Sequence, residues 1–180
     1  MPNSASQIQL IPASELAPGN AAAIRNQAVQ ELLNEASKAT NYAPDRMVVR
    51  DIRPIATTGD LDYTYEDWAE TTGATANAWE TMSTGTNVDQ RWIGFYGVKI
   101  DPDSCAITAI RFNIGGADRV IWMLQALTEE DGYVGLCPSV IVIPPNAPYT
   151  ISRWVRSVTS IDKTVLKGIV VEPRGKVLSP

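Results

Sequence analysis

The sequence predicts a mainly β fold, an antiparallel β-sandwich of about eight strands with one N-terminal helix and an extended N-terminal arm. From residue 46 onward, short runs rich in Val, Ile, Thr, Trp and Tyr alternate with turn residues. Before residue 45, one segment has the spacing of an amphipathic helix. Sequential strands joined by short turns favour antiparallel pairing over alternating βαβ units.

The length and composition fit one globular domain with an arm. The chain has 180 residues, of which 44% are hydrophobic and 19% charged, which is too apolar for a disordered chain. We therefore divide it into an N-terminal arm and helix (residues 1–45) and a sandwich domain (residues 46–180). The sequence contains no histidine, which excludes catalytic triads, metal sites and pH switches that depend on imidazole.

The first 18 residues predict an arm. They are polar and small, and they are interrupted by Pro2, Pro12 and Pro18. A segment of this kind cannot build a core of its own, so we expect it to become ordered only against a partner. It also lacks the basic start and apolar run of a signal peptide, and we expect the protein to be made and assembled in a cytoplasm.

The helix is predicted over residues 21–38. Asn20 is its expected N-cap, Asn41 is its expected C-terminal cap, and Pro44 prevents continuation. Apolar residues recur at steps of four and are widened by two neighbours, so one face of the helix is expected to be buried. These residues are Ile24, Ala28, Leu32 and Ala36, with Val29 and Leu33 beside them.

Nine segments have strand character. Those from 91 to 127 are joined by turns at 101–104 and 115–118, the signature of a β-meander. Gly94 and Gly97 interrupt the first of these, which predicts a bulge or a close approach of two backbones. The predicted strands are 46–56, 62–69, 75–82, 91–100, 105–113, 119–127, 133–143, 149–157 and 165–171.

Charge is unevenly distributed along the chain. Seven acidic residues and no basic residue lie between Arg53 and Arg91, whereas residues 151–180 carry six basic residues and two acidic ones. Either these are solvated loops, or they are complementary patches that join copies of the protein to each other or to a neighbour. With a net charge of −5 and a pI near 4.7, nucleic acid is disfavoured as the principal partner.

The sequence offers no complete catalytic motif. Ser160 and Lys163 match a bare Ser-x-x-Lys spacing, but no companion motif accompanies them. Cys105 and Cys137 have no metal or redox spacing and are expected to be buried thiols. We predict no cofactor, no metal and no enzymatic activity. Carboxylate pairs occur where turns favour Asp and Glu, namely Asp60/Asp62, Glu66/Asp67, Asp101/Asp103 and Glu129/Glu130/Asp131.

Four of the five tryptophans divide into two groups. Trp92 and Trp122 lie in the most apolar strands and are expected in the core, Trp68 and Trp79 lie among acids and threonines and are candidates for a contact surface, and Trp154 is assigned to neither group. Combined with the helix stripe and the two charged regions, this gives a predicted contact surface. Its members are Ile24, Leu32, Asp60, Asp62, Trp68, Trp79, Arg153, Arg156 and Arg174.

A small-residue arm, one amphipathic helix and a single sandwich with the strand count of a jelly roll resemble viral coat and capsid-associated proteins. The resemblance is strongest over residues 91–175, in the 91–100 strand, the 140–145 strand and loop with 147–151 after it, and the 167–173 end. In these segments the sequence is similar to bacteriophage shell components, either cement and decoration proteins or small single jelly-roll coats. The resemblance implies virion localisation, symmetric contacts between many copies, commonly trimeric, and no catalytic residues.

These observations favour a non-enzymatic virion protein, a capsid cement or decoration subunit. Its expected partners are copies of itself and other capsid proteins, without nucleic acid or membrane. A genome-binding arm is disfavoured because the first 24 residues contain no Lys or Arg. Three alternatives remain open: a single jelly-roll coat protein, a carbohydrate-binding sandwich that uses surface Trp and Tyr, and a hydrolase that uses a carboxylate pair.

Overall fold

The computed structural model describes residues 5–53, 60–61, 69–70, 75–100, 107–124, 127, 133–157 and 162–175. These ranges contain eleven strands and one α-helix, so the fold is mainly β, as predicted. The helix is α1 (Asn20–Thr40). The strands are β1 (Ser6–Gln9), β2 (Ile11–Pro12), β3 (Met47–Asp51), β4 (Ala69–Glu70), β5 (Ala78–Thr86), β6 (Trp92–Ile100), β7 (Ile107–Ile114), β8 (Ala117–Met123), β9 (Val134–Ile143), β10 (Pro148–Val155) and β11 (Asp162–Pro173).

The helix runs to Thr40, two residues beyond the predicted range, and ends at the predicted cap. Asn41 takes the C-cap position with a left-handed φ of 59°, a conformation that Asn tolerates better than most residues. The N-cap prediction was wrong by one residue: Gly19, with a φ of 90°, holds that position, and Asn20 is the first helical residue. Glycine adopts this φ without a Cβ clash. The buried residues of α1 belong to the predicted stripe and are Ala28, Leu32 and Ala36.

The described strands form two sheets. The five-stranded sheet has the order β1-β8-β7-β10-β5, and the six-stranded sheet has the order β2-β9-β6-β11-β3, with β4 paired to β11. Every neighbouring pair is antiparallel except β1 with β8, which is parallel. The prediction of a mainly antiparallel protein with two sheets and one helix is therefore confirmed.

The main core lies between the two sheets. Phe95 of the six-stranded sheet packs against Phe112 of the five-stranded sheet with ring centroids 5.4 Å apart, and Phe112 meets Trp122 edge to face at 4.7 Å. All three side chains are fully buried. A second apolar cluster lies on the other face of the six-stranded sheet, where α1 covers Trp92. The predicted core positions of both tryptophans are confirmed.

The N-terminal arm is ordered against its own domain, contrary to the prediction that it needs a partner. Ser6–Gln9 pairs with β8 in the five-stranded sheet, and Ile11–Pro12 pairs with β9 in the six-stranded sheet. Between them, Leu10 is 1% exposed and belongs to the main core. Gly135 makes room for it, since a Cβ there would lie 2.9 Å from Leu10 Cδ1. Ile8 packs against the same core, and Leu16 packs in the helix–sheet cluster, so the arm is held by apolar contacts as well as by strand pairing.

Strand positions agree best where the apolar pattern is continuous. The prediction at 46–56 was too long, because β3 ends at Asp51, and the strand predicted at 75–82 is β5. The candidate at 62–69 lies almost entirely outside the described residues. The expected irregularity is confirmed at Gly97: the β6–β9 register shifts between Phe95 and Gly97, and a Cβ at Gly97 would lie 2.5 Å from the Gly135 carbonyl oxygen. At Gly94 a Cβ would instead meet the side chains of Val140 and Leu32.

Candidate functional site

Three members of the predicted contact surface are buried. Leu32 packs in the helix–sheet cluster, Asp60 lies at one end of the main core, and Arg153 is 1% exposed. The assignment of these three residues to a contact surface was wrong. Leu32 lies on the buried stripe of α1, and for Asp60 and Arg153 sequence spacing does not distinguish a charge on the surface from a charge turned inward. Asp62 and Trp68 lie outside the described residues.

The other four members remain accessible but do not form one surface. Ile24 is half-buried against the helix–sheet cluster, and Trp79 is half-buried on β5. Arg156 and Arg174 are exposed, after β10 and β11 respectively. The structure therefore brings the predicted contact residues to several different places.

Asp60 is the centre of a buried charge cluster. Both of its oxygens lie 2.6 Å from the Arg50 guanidinium, and the Arg53 backbone N–H donates to Oδ2 at 2.7 Å. Glu172 closes the cluster, accepting from Arg50 at 3.0 Å and from Arg91 at 2.5 Å. We call these residues the Asp60 cluster; its members are Arg50, Arg53, Asp60, Arg91 and Glu172.

The position of the Asp60 cluster follows from strand alternation. Val170 belongs to the main core, so Glu172, two residues further along β11, points to the same side of the sheet. Arg50 lies opposite Val170 in the register and joins it on that side. The charges therefore lie between the sheets, where an unpaired ion would be costly and a paired one is tolerated.

The Asp60 cluster is unsuited to acid–base catalysis. Burial alone would raise the pKa of Asp60, but the Arg50 guanidinium, the Arg53 N–H and the charge of Arg91 outweigh burial and hold the pKa below its ordinary value. A general acid needs a raised pKa. The Asp60 side chain is also fully buried and that of Glu172 nearly so, which leaves a substrate no access. The other predicted carboxylate pairs, and Asp62, lie outside the described residues.

The acidic stretch and the basic end meet inside the protein. Arg153 on β10 donates to Glu80 on β5 at 3.2 Å, and the two residues face each other in the register. One charge from each predicted patch is therefore neutralised within the chain. Of the acidic stretch, Asp89 remains exposed among the described side chains.

The outer face of the five-stranded sheet carries an aromatic and cationic cluster. Trp79 and Trp154 lie opposite each other on β5 and β10 and contact edge to face at 5.4 Å. The Arg111 guanidinium lies 4.5 Å from the centroid of the Trp79 ring and 3.6 Å from Asp118. Arg111 points outward because its neighbours Ile110 and Phe112 are in the main core.

Among the described residues, no helix packs on this outer face. The apolar cluster around α1 draws only on the six-stranded sheet, so the helix protects one sheet and not the other. Trp79, Trp154, Ile121 and Thr150 are all half-buried there. We call the set Trp79, Arg111, Ile121, Thr150 and Trp154 the open face.

The open face does not have the geometry of a sugar-stacking platform. Such a platform needs coplanar rings, and the planes of Trp79 and Trp154 are inclined at 74°. The carbohydrate-binding alternative therefore gains no support from Trp79. Trp68, its other predicted residue, lies outside the described residues.

A groove that the sequence analysis missed lies at the C-terminal end of α1. It consists of two adjoining hollows of about 430 and 580 Å³ that share Tyr42 and Gln90. Four separate segments meet there, so no local pattern could have predicted it. Its one sequence signal is Tyr42, an aromatic residue directly after the helix cap.

Neither a protein-family model nor a curated protein matches this chain. Within the described ranges, no helix is long and apolar enough to cross a membrane. The same residues contain no group of three or more Cys, Asp or Glu side chains placed to hold a metal ion. Cys137 is buried as predicted, and burial raises the pKa of its thiol, whereas Cys105 and Ser160 lie outside the described residues.

Proposed function

We propose that this protein is a non-enzymatic structural subunit of a virus particle, a capsid cement or decoration subunit built on a jelly roll. The observation that carries the proposal is the order of the strands. Jelly rolls occur in viral capsid proteins, lectins and cupins. The strand order thus supports a class of folds in which capsid subunits are common.

The strand pairs nest like the rungs of one long hairpin. The outermost rung is β3 with β11, followed by β5 with β10, β6 with β9 and β7 with β8, and all four pairs are antiparallel. Successive rungs alternate between the six-stranded and the five-stranded sheet. A long hairpin folded in this way gives an eight-stranded jelly roll with two Greek keys. β1, β2 and β4 are additions to that framework.

The residues of the open face favour contact with other subunits over catalysis. The open face combines half-buried tryptophans with Arg111, and aromatic residues and arginine are enriched in protein–protein interfaces. We infer that this face contacts copies of the protein, in a homo-oligomer such as a trimer, or neighbouring capsid proteins. The Asp60 cluster and the Arg153–Glu80 pair then serve to hold the framework rigid.

The proposal is tested on virus particles purified from cultures of the host cells in which the gene is found. Density-gradient fractions are probed with an antibody against the full chain. We expect the protein in the particle fraction at a constant ratio to the main shell protein. Its confinement to the soluble fractions would contradict a structural role in the particle.

The role of the open face is tested with matched variants. Ile121→Lys and Thr150→Lys place a charge on this face, and Asn34→Lys places the same charge on the exposed side of α1. We expect the first two to reduce incorporation into particles at least tenfold and the third to be incorporated like the wild type. Equal incorporation of all three would exclude the open face as the contact.

A further inference from the structure

The groove at the end of α1 has walls that are fixed before any ligand arrives. The side-chain amide of Asn87 donates to the carbonyl oxygens of Arg91, Ile143 and Pro144 at 2.7, 3.1 and 3.1 Å, which ties the β5–β6 turn to the β9–β10 turn. Asn146 donates to the Asp89 carboxylate at 3.0 Å. Binding to such a site loses little free energy to ordering the loops.

Left-handed backbone conformations cluster around the groove. Asn41, Gln90 and Asn146 have φ values of 59°, 56° and 59°. Asn tolerates this region, but Gln has no such preference, so Gln90 is held there by its surroundings. Gln90 lines both hollows, and its backbone is thus fixed where a ligand would lie.

The lining of the first hollow combines an exposed ring with hydrogen-bonding groups. Tyr42 is 41% exposed, one of two large apolar side chains exposed among the described residues. Glu35, Asp89 and Gln90 line the same hollow and bring carboxylate and amide groups to it. The rest of the lining is Ala39, Thr40, Trp92, Pro144 and Pro145. Partial burial raises the pKa of Glu35, as expected for a carboxylate at the edge of a cleft.

We propose that this groove binds a short neutral saccharide, with the ring of Tyr42 stacked on the apolar face of one sugar. Carboxylate and amide oxygens accept hydrogen bonds from sugar hydroxyl groups, and the amide can also donate. A hollow of about 430 Å³ falls within the range of small-molecule sites. The Glu35 and Asp89 carboxylates of this first hollow disfavour a sialylated or sulfated sugar there by like-charge repulsion.

A basic peptide is the competing occupant, and the second hollow argues against it. Arg46, Arg174 and Asp45 line that hollow beside Tyr42 and Gln90. Because the two arginines outnumber the one carboxylate, the next cation of a basic peptide would meet a net positive charge there. The saccharide proposal does not depend on the virion proposal. A glycan site at Tyr42 and a place in a particle can each fail without affecting the other.

The test uses the full chain on an array of defined neutral and sialylated glycans, with calorimetry on the best neutral ligand. We expect at least one neutral glycan to bind and its sialylated form to bind at least tenfold more weakly. Tyr42→Ala should lower the affinity at least tenfold, and Tyr42→Phe, which keeps the ring, should lower it less than threefold. Each variant is first shown to have the wild-type melting temperature.

The matched control is Val88→Ala. Val88 is 43% exposed and next to Asp89 but does not line the groove, so its truncation should leave affinity unchanged. Absence of any array ligand would overturn the proposal. A preference for sialylated glycans, unchanged affinity in Tyr42→Ala, or binding of an oligolysine peptide in place of glycans would each overturn it as well.

Discussion

The Asp60 carboxylate faces the Arg50 guanidinium with two N–O distances of 2.6 Å, which fixes a residue of the segment after β3 to β3 itself. Because Arg50 also donates to Glu172, the same contact reaches the end of β11. Bidentate geometry of this kind is the strongest form of a carboxylate–guanidinium contact. The pair therefore links the segment after β3 to β3 and β11 through a carboxylate that is fully buried.

Removing the charge of Asp60 should destabilise the protein strongly. Asp60→Asn leaves the guanidinium groups of Arg50 and Arg91 with one carboxylate fewer in a buried site, and we expect a loss of about 3–5 kcal/mol in the free energy of unfolding. Urea unfolding followed by tryptophan fluorescence measures it. The control is Asp51→Asn, which breaks the ion pair of a 69% exposed carboxylate with Arg25 and should cost at most about 1 kcal/mol. Equal effects would show that burial of the Asp60 pair contributes nothing.

The contribution of Asp60 should depend on pH with a defined sign. Its pKa in the folded protein lies below the ordinary value of 3.8, so the stabilisation is present above that value and is lost as the pH falls through the folded pKa. The difference in unfolding free energy between wild type and Asp60→Asn should be constant from pH 7 to about pH 5 and shrink below about pH 4. A difference that grows on acidification would contradict the assigned direction.

Truncating Leu10 should show that the arm belongs to the domain. Leu10 is 1% exposed in the main core, and Leu10→Ala is expected to cost about 2–4 kcal/mol from lost burial and the cavity left behind. Gln9→Ala, one residue away and exposed, should stay within about 0.5 kcal/mol of the wild type. Thermal unfolding monitored by circular dichroism compares the two. An effect of Leu10→Ala no larger than that of Gln9→Ala would mean that the arm is not docked.

Local patterns predicted the elements well. The stripe of Ala28, Leu32 and Ala36 and the cap at Asn41 follow from spacing within one helix. The core positions of Trp92 and Trp122 follow from apolar runs within one strand. Each of these signals lies within a few residues of the structure it predicts, which is why sequence alone was sufficient.

Contacts between distant segments could not be predicted. Arg153 looked like a surface charge because its partner Glu80 is brought to it only by the pairing of β5 and β10. Asp60 looked like one because the segment after β3 turns back onto Arg50 and meets Arg91 from a distant part of the chain. Leu10 was not identified as a core residue because it lies in a polar segment and the residues it packs against are distant in the sequence. Four separate segments line the groove at Tyr42, and only the segment that contains Tyr42 carries a signal in the sequence.

The close approach of β6 and β9 gives the last prediction. A Cβ at residue 97 would lie 2.5 Å from the Gly135 carbonyl oxygen and 2.8 Å from Leu136 Cδ2. Because the first of these contacts is with backbone, Gly97→Ala must displace β9 along its pairing with β6, at a cost of about 2–3 kcal/mol. Gly175→Ala is the control, since nothing lies within 4 Å of a Cβ there, and it should leave the unfolding free energy within about 0.5 kcal/mol of the wild type. Chemical denaturation of both variants measures their free energies of unfolding. Were Gly97→Ala as stable as Gly175→Ala, the two strands would have room for a methyl group, and the sequence-based prediction of a tight backbone approach at Gly97 would be wrong.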